Sequence, residues 1–380
     1  MIRTDDVVHL AEQATLGGLL LAPDHFAEVN RWIRGQDFAD PWHRKVWTTL
    51  REAHVAGTPI GAEPVAAAMV ERFGTRQADI VRVHDLLQAT PKDPDPRPHA
   101  RVVVEFGARR EIAAQGVLLE VGAACAARDH ESRHLKSLIQ IVAAALALAG
   151  ERWDDAIGRA APSVTELLPV SLRAAAADQE LRRAADKRLG YLPEPSSSDA
   201  AVNEARLIAA LASHPTAIAP TAAWLTPESV TNAPWRTVYQ ALIAMSDGGE
   251  HIDPVSLATR AMRGARTSGR APDLAELLDG ISAEAASVPG HLSRVVAGDQ
   301  LRRTARDGAR TLRRGAADPR ADLDDVLGQA ATILRSMNDL AAVLPYVAGR
   351  AGGSNTRQPR ALDAGPPNQS PDRGDGPVLR

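Results

Sequence analysis

Five consecutive residues, His130-Glu131-Ser132-Arg133-His134, spell His-Glu-x-x-His. On a helix this spacing places two imidazoles one turn apart on one face, where they can bind zinc while the glutamate acts as base on the metal-bound water. The longer continuation of that motif is absent, because Ser137 and Gln140 stand where a glycine and a third histidine would be. Glu151 and Glu166 are then the acidic residues available as a third ligand. The motif also follows Arg128-Asp129 at what reads as a hairpin turn. The expectation is therefore a solvated helix start with Glu131 in the favourable first turn, and no cofactor or metal is assigned. A zinc-dependent hydrolase using His130 and His134 is the alternative reading.

A second pattern is basic. Arg302, Arg306, Arg310 and Arg313 or Arg314 recur at helical spacing, with Arg294 and Arg303 beside them and only Asp299 and Asp307 opposing. Such a stripe can follow phosphates, as in a DNA-binding replication protein of a plasmid or phage, or an acidic partner surface, and phosphate contacts would be strongly salt-dependent. No aromatic residue interleaves with the arginines, so a stacking platform for single strands is not indicated. The stripe equally fits a solvated face opposite Leu301, Ala305, Gly308 and Leu312. Lys45, Lys92, Lys136 and Lys187 are the only lysines, which points to a coding bias toward arginine. A net charge of -3 gives the whole chain no electrostatic case for nucleic acid.

The elements that must position these residues read as helices nearly throughout. Val8, Ala11, Leu16, Leu19 and Leu20 follow helical spacing up to Pro23. A second helix is expected from about 23 to 33, and Asp40-Pro41 resembles an N-cap with proline at the first helical position. Further helices are predicted over about 63–73, 78–89, 99–127 and 151–168. Aromatic residues make up only 3% of the chain, so the cores must be built mainly from Leu, Val, Ile and Ala, which favours packed helices over sheets.

Residues 12–60 then reappear, without a gap, at 204–252. Leu16 falls on Ile208, Leu19 on Leu211, Ile33 on Leu225, Phe38 on Val230, Trp47 on Tyr239 and Leu50 on Leu242. Trp32 falls on Trp224, and all four of these paired aromatic positions should be core. Trp42 has no aligned counterpart, which argues for greater exposure. Farther on, Arg109-Arg110 meets Arg302-Arg303, and Asp154-Asp155 is matched to Asp324-Asp325, each pair expected at a helix start. On this matching the first copy holds extra residues, about 128–150, and the second hairpin comprises 291–315 and 322–337. The fold class is all-α: two tandem domains, each a compact helical globule followed by a helical hairpin. The expected boundaries are 1–168 for copy one, 169–199 for a helical segment and Pro/Ser linker, 200–338 for copy two, and 339–380 for a disordered tail.

Composition narrows the setting. The single cysteine, Cys125, excludes an intrachain disulfide framework and fits a reducing compartment. The amino terminus has no apolar signal core, and the longest apolar run, 139–149, is short of the roughly 20 residues that span a bilayer. A cytoplasmic location is expected.

Three blocks carry a resemblance. Glu12-Gln13-Ala14-Thr15-Leu16-Gly17-Gly18-Leu19-Leu20-Leu21 with Pro23, then Asp37-Phe38-Ala39-Asp40-Pro41-Trp42-His43-Arg44-Lys45-Val46-Trp47, then Gly57-Thr58-Pro59-Ile60 are similar in order and spacing to the amino-terminal domain of the bacterial replicative DNA helicase, the DnaB family. The second copy resembles a more diverged version of it. The resemblance implies an all-helical domain used for self-association and for docking primase, with a replicative helicase, primase or loader as partners. The family's motor is a separate ATPase domain whose phosphate loop needs a Gly-Lys pair. No Gly-Lys pair occurs in this sequence. The expectation is a non-catalytic interaction protein associated with DNA replication, whose hairpins self-associate.

Overall fold

The computed structural model describes residues 3–344 apart from 130–132, 161, 192–196, 269–278 and 280–286. Helix α1 (Thr4–Leu21) turns Leu16, Leu19 and Leu20 inward, and Pro23 ends it by opening a 3-10 turn, Pro23–His25. Helix α2 (Phe26–Trp32) and a second 3-10 turn, Gly35–Asp37, lead to α3 (Pro41–Ala56). Asp40 caps α3 by accepting the Trp42 N–H at 2.7 Å, and Gly57 closes it in the left-handed conformation at φ 67°. Helices α4 (Ala62–Phe73), α5 (Thr75–Ala78) and α6 (Ile80–Ala89) complete the globule, with α6 against α1 and α4 against α3. A Cβ at Gly17 would collide with the Leu86 carbonyl, so only glycine lets α1 and α6 approach this closely.

The first hairpin is α7 (Arg97–Asp129) and α8 (Arg133–Ile157). The chain then folds back over it, with α9 (Val164–Leu167), α10 (Val170–Ala177) against α8, and α11 (Gln179–Leu189) against α7. The second copy repeats the first at an offset of 192 residues: α12 (Ser197–Ser213), a 3-10 turn Pro215–Ala217, α13 (Ile218–Ala222), a 3-10 turn Pro227–Ser229 and α14 (Ala233–Asp247). It ends with α15 (Pro254–Ser268) and a hairpin of α16 (Pro289–Ala317) and α17 (Leu323–Val343). Every element among the described residues is helical, as expected.

Several expectations need correction. The second helix of hairpin one starts at Arg133 and ends at Ile157, so 133–150 is the greater part of α8 and not an insertion. The small residues between 143 and 149 continue the helix instead of interrupting it. Asp154-Asp155 therefore sits in the last turn of α8, while Asp324-Asp325 sits in the first turn of α17. These two segments are not equivalents, and they touch: the Trp153 indole N–H donates to Asp324 at 3.0 Å and Arg159 donates to it at 2.7 Å. Arg159 also pairs with Asp154 at 2.8 Å, offsetting the unfavourable position of an acid at a helix C-terminus.

Trp42 is only 7% exposed, because its indole N–H reaches the Ala78 carbonyl at 3.0 Å and Arg82 stacks over its ring. Trp32, Trp47 and Tyr239 are core as expected, whereas Trp224 is half-buried. Residues 339–343, expected in the tail, belong to α17. The rest of that tail, 345–380, and the Pro/Ser linker at 192–196 lie outside the described residues. Helix α8 is by length and composition apolar enough to cross a membrane, yet Leu135, Ile139, Val142 and Leu146 are buried in the helical core.

Candidate interaction site at the paired hairpins

The two hairpins close on each other. Helix α7 makes its most extensive contact with α16, and α8 packs on α17, so the four helices form one bundle. Ala108, Ile112 and Leu119 of α7 share a continuous buried cluster with Leu301, Ala305, Ala309 and Leu312 of α16. Small residues set the spacing: a Cβ at Gly116 would lie 2.8 Å from the Arg313 side chain and 2.9 Å from the Ala309 carbonyl oxygen. Polar contacts tie the helix ends across the seam. Buried Arg109 donates to the Asp318 carbonyl at 2.8 Å and to that of Ala321, and Lys136 donates to the Leu344 carbonyl at 3.0 Å.

The arginines of the copy-two stripe divide between this seam and the rest of α16. Arg302 is buried and paired with Asp299, and Arg303 points inward to Glu204 at 3.2 Å. Arg313 meets Glu120 of α7 at 2.7 Å, with Arg310 at 3.9 Å from the same carboxylate. Part of the stripe thus faces an acidic residue of the first copy. Burial and the neighbouring Arg310 lower the pKa of Arg306 from its ordinary value. Arg294 donates to the Gly290 carbonyl one turn back, and Arg314 is exposed. Periodicity defined the stripe correctly as one helix but could not say which neighbours cover it.

A feature that the repeat contains, and that the sequence reading passed over, frames both globules. Glu12 is fully buried and accepts the N–H groups of Ala39 and Asp40 and the His43 Nδ1–H, the last at 2.7 Å. Glu204, 192 residues on, is also fully buried and accepts the N–H groups of Thr231 at 2.9 Å and Asn232 at 2.8 Å. Arg44 donates to the Phe38 carbonyl at 2.6 Å, as Arg236 does to that of Val230 at 2.7 Å. A hairpin arginine then closes each frame: Arg110 donates to the Asp37 carbonyl, and Arg303 to that of Ser229 at 3.4 Å. The signal was available as matching Glu, Arg and Arg positions, but repeat matching weighted apolar residues.

The metal candidates fare differently. His130 and Glu131 lie outside the described residues, and His134 is exposed on α8. One ligand atom each of His9, Asp40 and His43 lies within 4.8 Å of the others, a cluster the sequence did not suggest. His43 Nε2 is buried without a partner among the described residues. The Asp40 oxygens, however, already accept from the Trp42 N–H and from Arg82 at 2.6 Å, which commits that carboxylate to capping and to an ion pair. Burial pulls the Asp40 pKa up, but these hydrogen bonds and the nearby cations hold it below the usual range.

Comparison with known proteins gives the same duplicated outline. The family model described as DnaB-like helicase N terminal domain matches residues 7–105 and again 197–296, together more than half of the chain. The chain is 31% identical over 107 residues to the replicative DNA helicase DnaB of Mycobacterium leprae (strain TN), covering 28% of this chain and 18% of that protein. It is 29% identical over 109 residues to the replicative DNA helicase DnaB of Leifsonia xyli subsp. xyli (strain CTCB07), covering 28% of this chain and 24% of that one. The match thus spans less than a quarter of either relative's length.

Proposed function

The chain belongs to the family of DnaB-like helicase N-terminal domains, carrying that domain twice, and from this premise we propose that it is a non-catalytic interaction protein of DNA replication. Its two hairpins pair within one chain and imitate the contact that two helicase subunits would make through the same domain. A replicative helicase, a primase or a loader is the partner class this reading carries over. The observation that supports it is the four-helix bundle, in which the second copy covers the hairpin face that a partner subunit would otherwise cover.

Copy one has a core of its own, running from Ala11 to Ala156 and separate from the bundle cluster. Removing residues 200–380 should therefore leave a folded globule with an uncovered α7 face, and light scattering should then report a monomer for the full chain and a dimer for the fragment. An unchanged monomer mass would overturn the proposal. In the full chain, Gly116→Leu should wedge α7 from α16 at a cost of about 1–3 kcal/mol and bring partial self-association. ATP hydrolysis that persists through stringent purification would contradict the non-catalytic reading.

A further inference from the structure

An arginine-lined cleft of about 900 Å³ runs between α2, the 3-10 turn Gly35–Asp37, α3, α7 and α11. Seven arginines face Glu111 and Asp186 in it, within a chain whose net charge is -3. A smaller cleft of about 390 Å³ continues it, sharing Arg34, Gln36, Glu111, Gln179 and Arg182 and adding Arg152 and Arg173. We propose that this continuous cleft binds phosphate groups, as a nucleotide polyphosphate or a nucleic-acid backbone presents them.

Most carboxylates nearby are already committed, and Asp186 alone is left to face the seven arginines without an ion pair among the described residues. Glu111 pairs with Arg182, Glu180 with Arg183, and Asp37 with Arg152 at 2.6 Å. Arg31, Arg34, Arg51 and Arg173 form no ion pair with a carboxylate among the described residues. The Nε–H groups of Arg110, Arg152 and Arg173 are buried without an acceptor among the described residues, and all three side chains line the two clefts. Arg152 as a whole is only 5% exposed, so its orphan donor faces protein or the cleft, not bulk water. Desolvation by the cleft walls and the adjacent Arg152 lower the pKa of Arg34 against the pull of Asp37 and Glu111, although its side chain still reaches solvent.

The second copy is the control. At the positions equivalent to Arg31, Arg34 and Arg51 it carries Ala223, Thr226 and Ile243. The fold therefore does not need these arginines, and a coding bias toward arginine would have acted on both copies alike. Guanidinium forks match phosphate oxygens in pairs, which favours phosphate over a dispersed acidic surface. Among the described residues no aromatic side chain lines either cleft, so contact falls on phosphates and not on stacked bases. This inference is independent of how the hairpins pair.

The test uses the full chain and a variant carrying Arg31→Gln, Arg34→Gln and Arg51→Gln, three exposed positions whose loss should leave thermal stability unchanged. Titration with inorganic tripolyphosphate, ATP and a 12-nucleotide oligothymidylate at low and high salt should show salt-dependent binding that weakens at least tenfold in the variant. Tripolyphosphate and ATP without the oligonucleotide would identify a nucleotide site, whereas tighter oligonucleotide binding would identify a strand site, and either supports the proposal. A control variant, Arg310→Gln with Arg314→Gln, should bind like the unaltered chain. Absence of binding at low salt, equal binding by the triple variant, or stronger binding of polyglutamate would overturn it.

Discussion

The two copies share a backbone frame but hold it by different means. Around the 3-10 turn before α3, copy one relies on charge: Asp37 is 1% exposed, accepts the Arg34 N–H at 2.7 Å and pairs with Arg152 of α8, which also reaches the Trp32 carbonyl. Copy two has Ser229 in the place of Asp37 and so lacks the buried ion pair, keeping on the turn only the hairpin arginine that both copies share, here Arg303. Their cores differ in the same sense. The first core is closed among its own residues, whereas the second merges with the bundle seam. One copy is built to stand alone, and the other depends on the bundle for part of its core.

The sharpest way to break that comparison is to remove the charge pair. Burial pushes the Asp37 pKa up against the pull of Arg152 and the Arg34 N–H, so each charge is tolerable only while its partner remains. Asp37→Ala should lower stability by about 3–5 kcal/mol because it strands Arg152 in the interior. Ser229→Ala should cost less than about 1 kcal/mol, since its hydroxyl carries no such pair. Paired urea melts decide the matter, and equal losses would erase the distinction.

This asymmetry was hard to read from the sequence. Offsets of 192 and 193 residues exposed the repeat, the helices and the apolar pairs, because helical periodicity and proline punctuation act locally. Which helix covers which face is a long-range fact. Arg303 read as part of a surface stripe, yet it enters the frame of its own globule. Asp154-Asp155 read as the counterpart of Asp324-Asp325 because the letters agree, although one pair ends a helix, the other begins one, and their segments meet in space. Asp40 and His43 lie together at the start of α3, but His9 lies far back in the chain, and only the packing of α1 on α3 brings it to them.

The aromatic cores sharpen the comparison further. In copy one, Trp47 packs with Phe26 and Phe38 at centroid distances of 5.3 and 5.6 Å. Copy two replaces these with Tyr239, Ile218 and Val230, and the Tyr239 hydroxyl donates to the Leu225 carbonyl at 2.8 Å. Burial pushes that phenol's pKa up, so it stays neutral and remains a donor. Tyr239→Phe should cost about 1–2 kcal/mol by leaving a buried carbonyl unpaired. Trp47→Phe creates a void instead, and should cost more in copy one. Thermal melts of the two variants compare a lost hydrogen bond with lost packing.

The smallest effect concerns the starts of the long hairpin helices. Asp95 accepts the Arg97 N–H at 3.0 Å and its side chain at 2.9 Å, capping α7, whereas the equivalent residue before α16 is Val288, which gives no side-chain cap. The Arg97 hydrogen bonds hold the Asp95 carboxyl down at about 2 from its ordinary 3.8. A depressed carboxylate pKa stabilises the fold above the unfolded value and ceases to do so as pH falls through the folded one. Asp95 is partly exposed, so solvent screening reduces the contribution to about 1 kcal/mol. Asp95→Asn should therefore melt below the unaltered chain at pH 5, and the gap should close between pH 4 and pH 2. Val288→Asp should work in the opposite direction, giving copy two the acid-sensitive cap it lacks. If the Asp95→Asn gap instead stays constant down to pH 2, the cap is not electrostatic, and the two hairpins differ only in their packing.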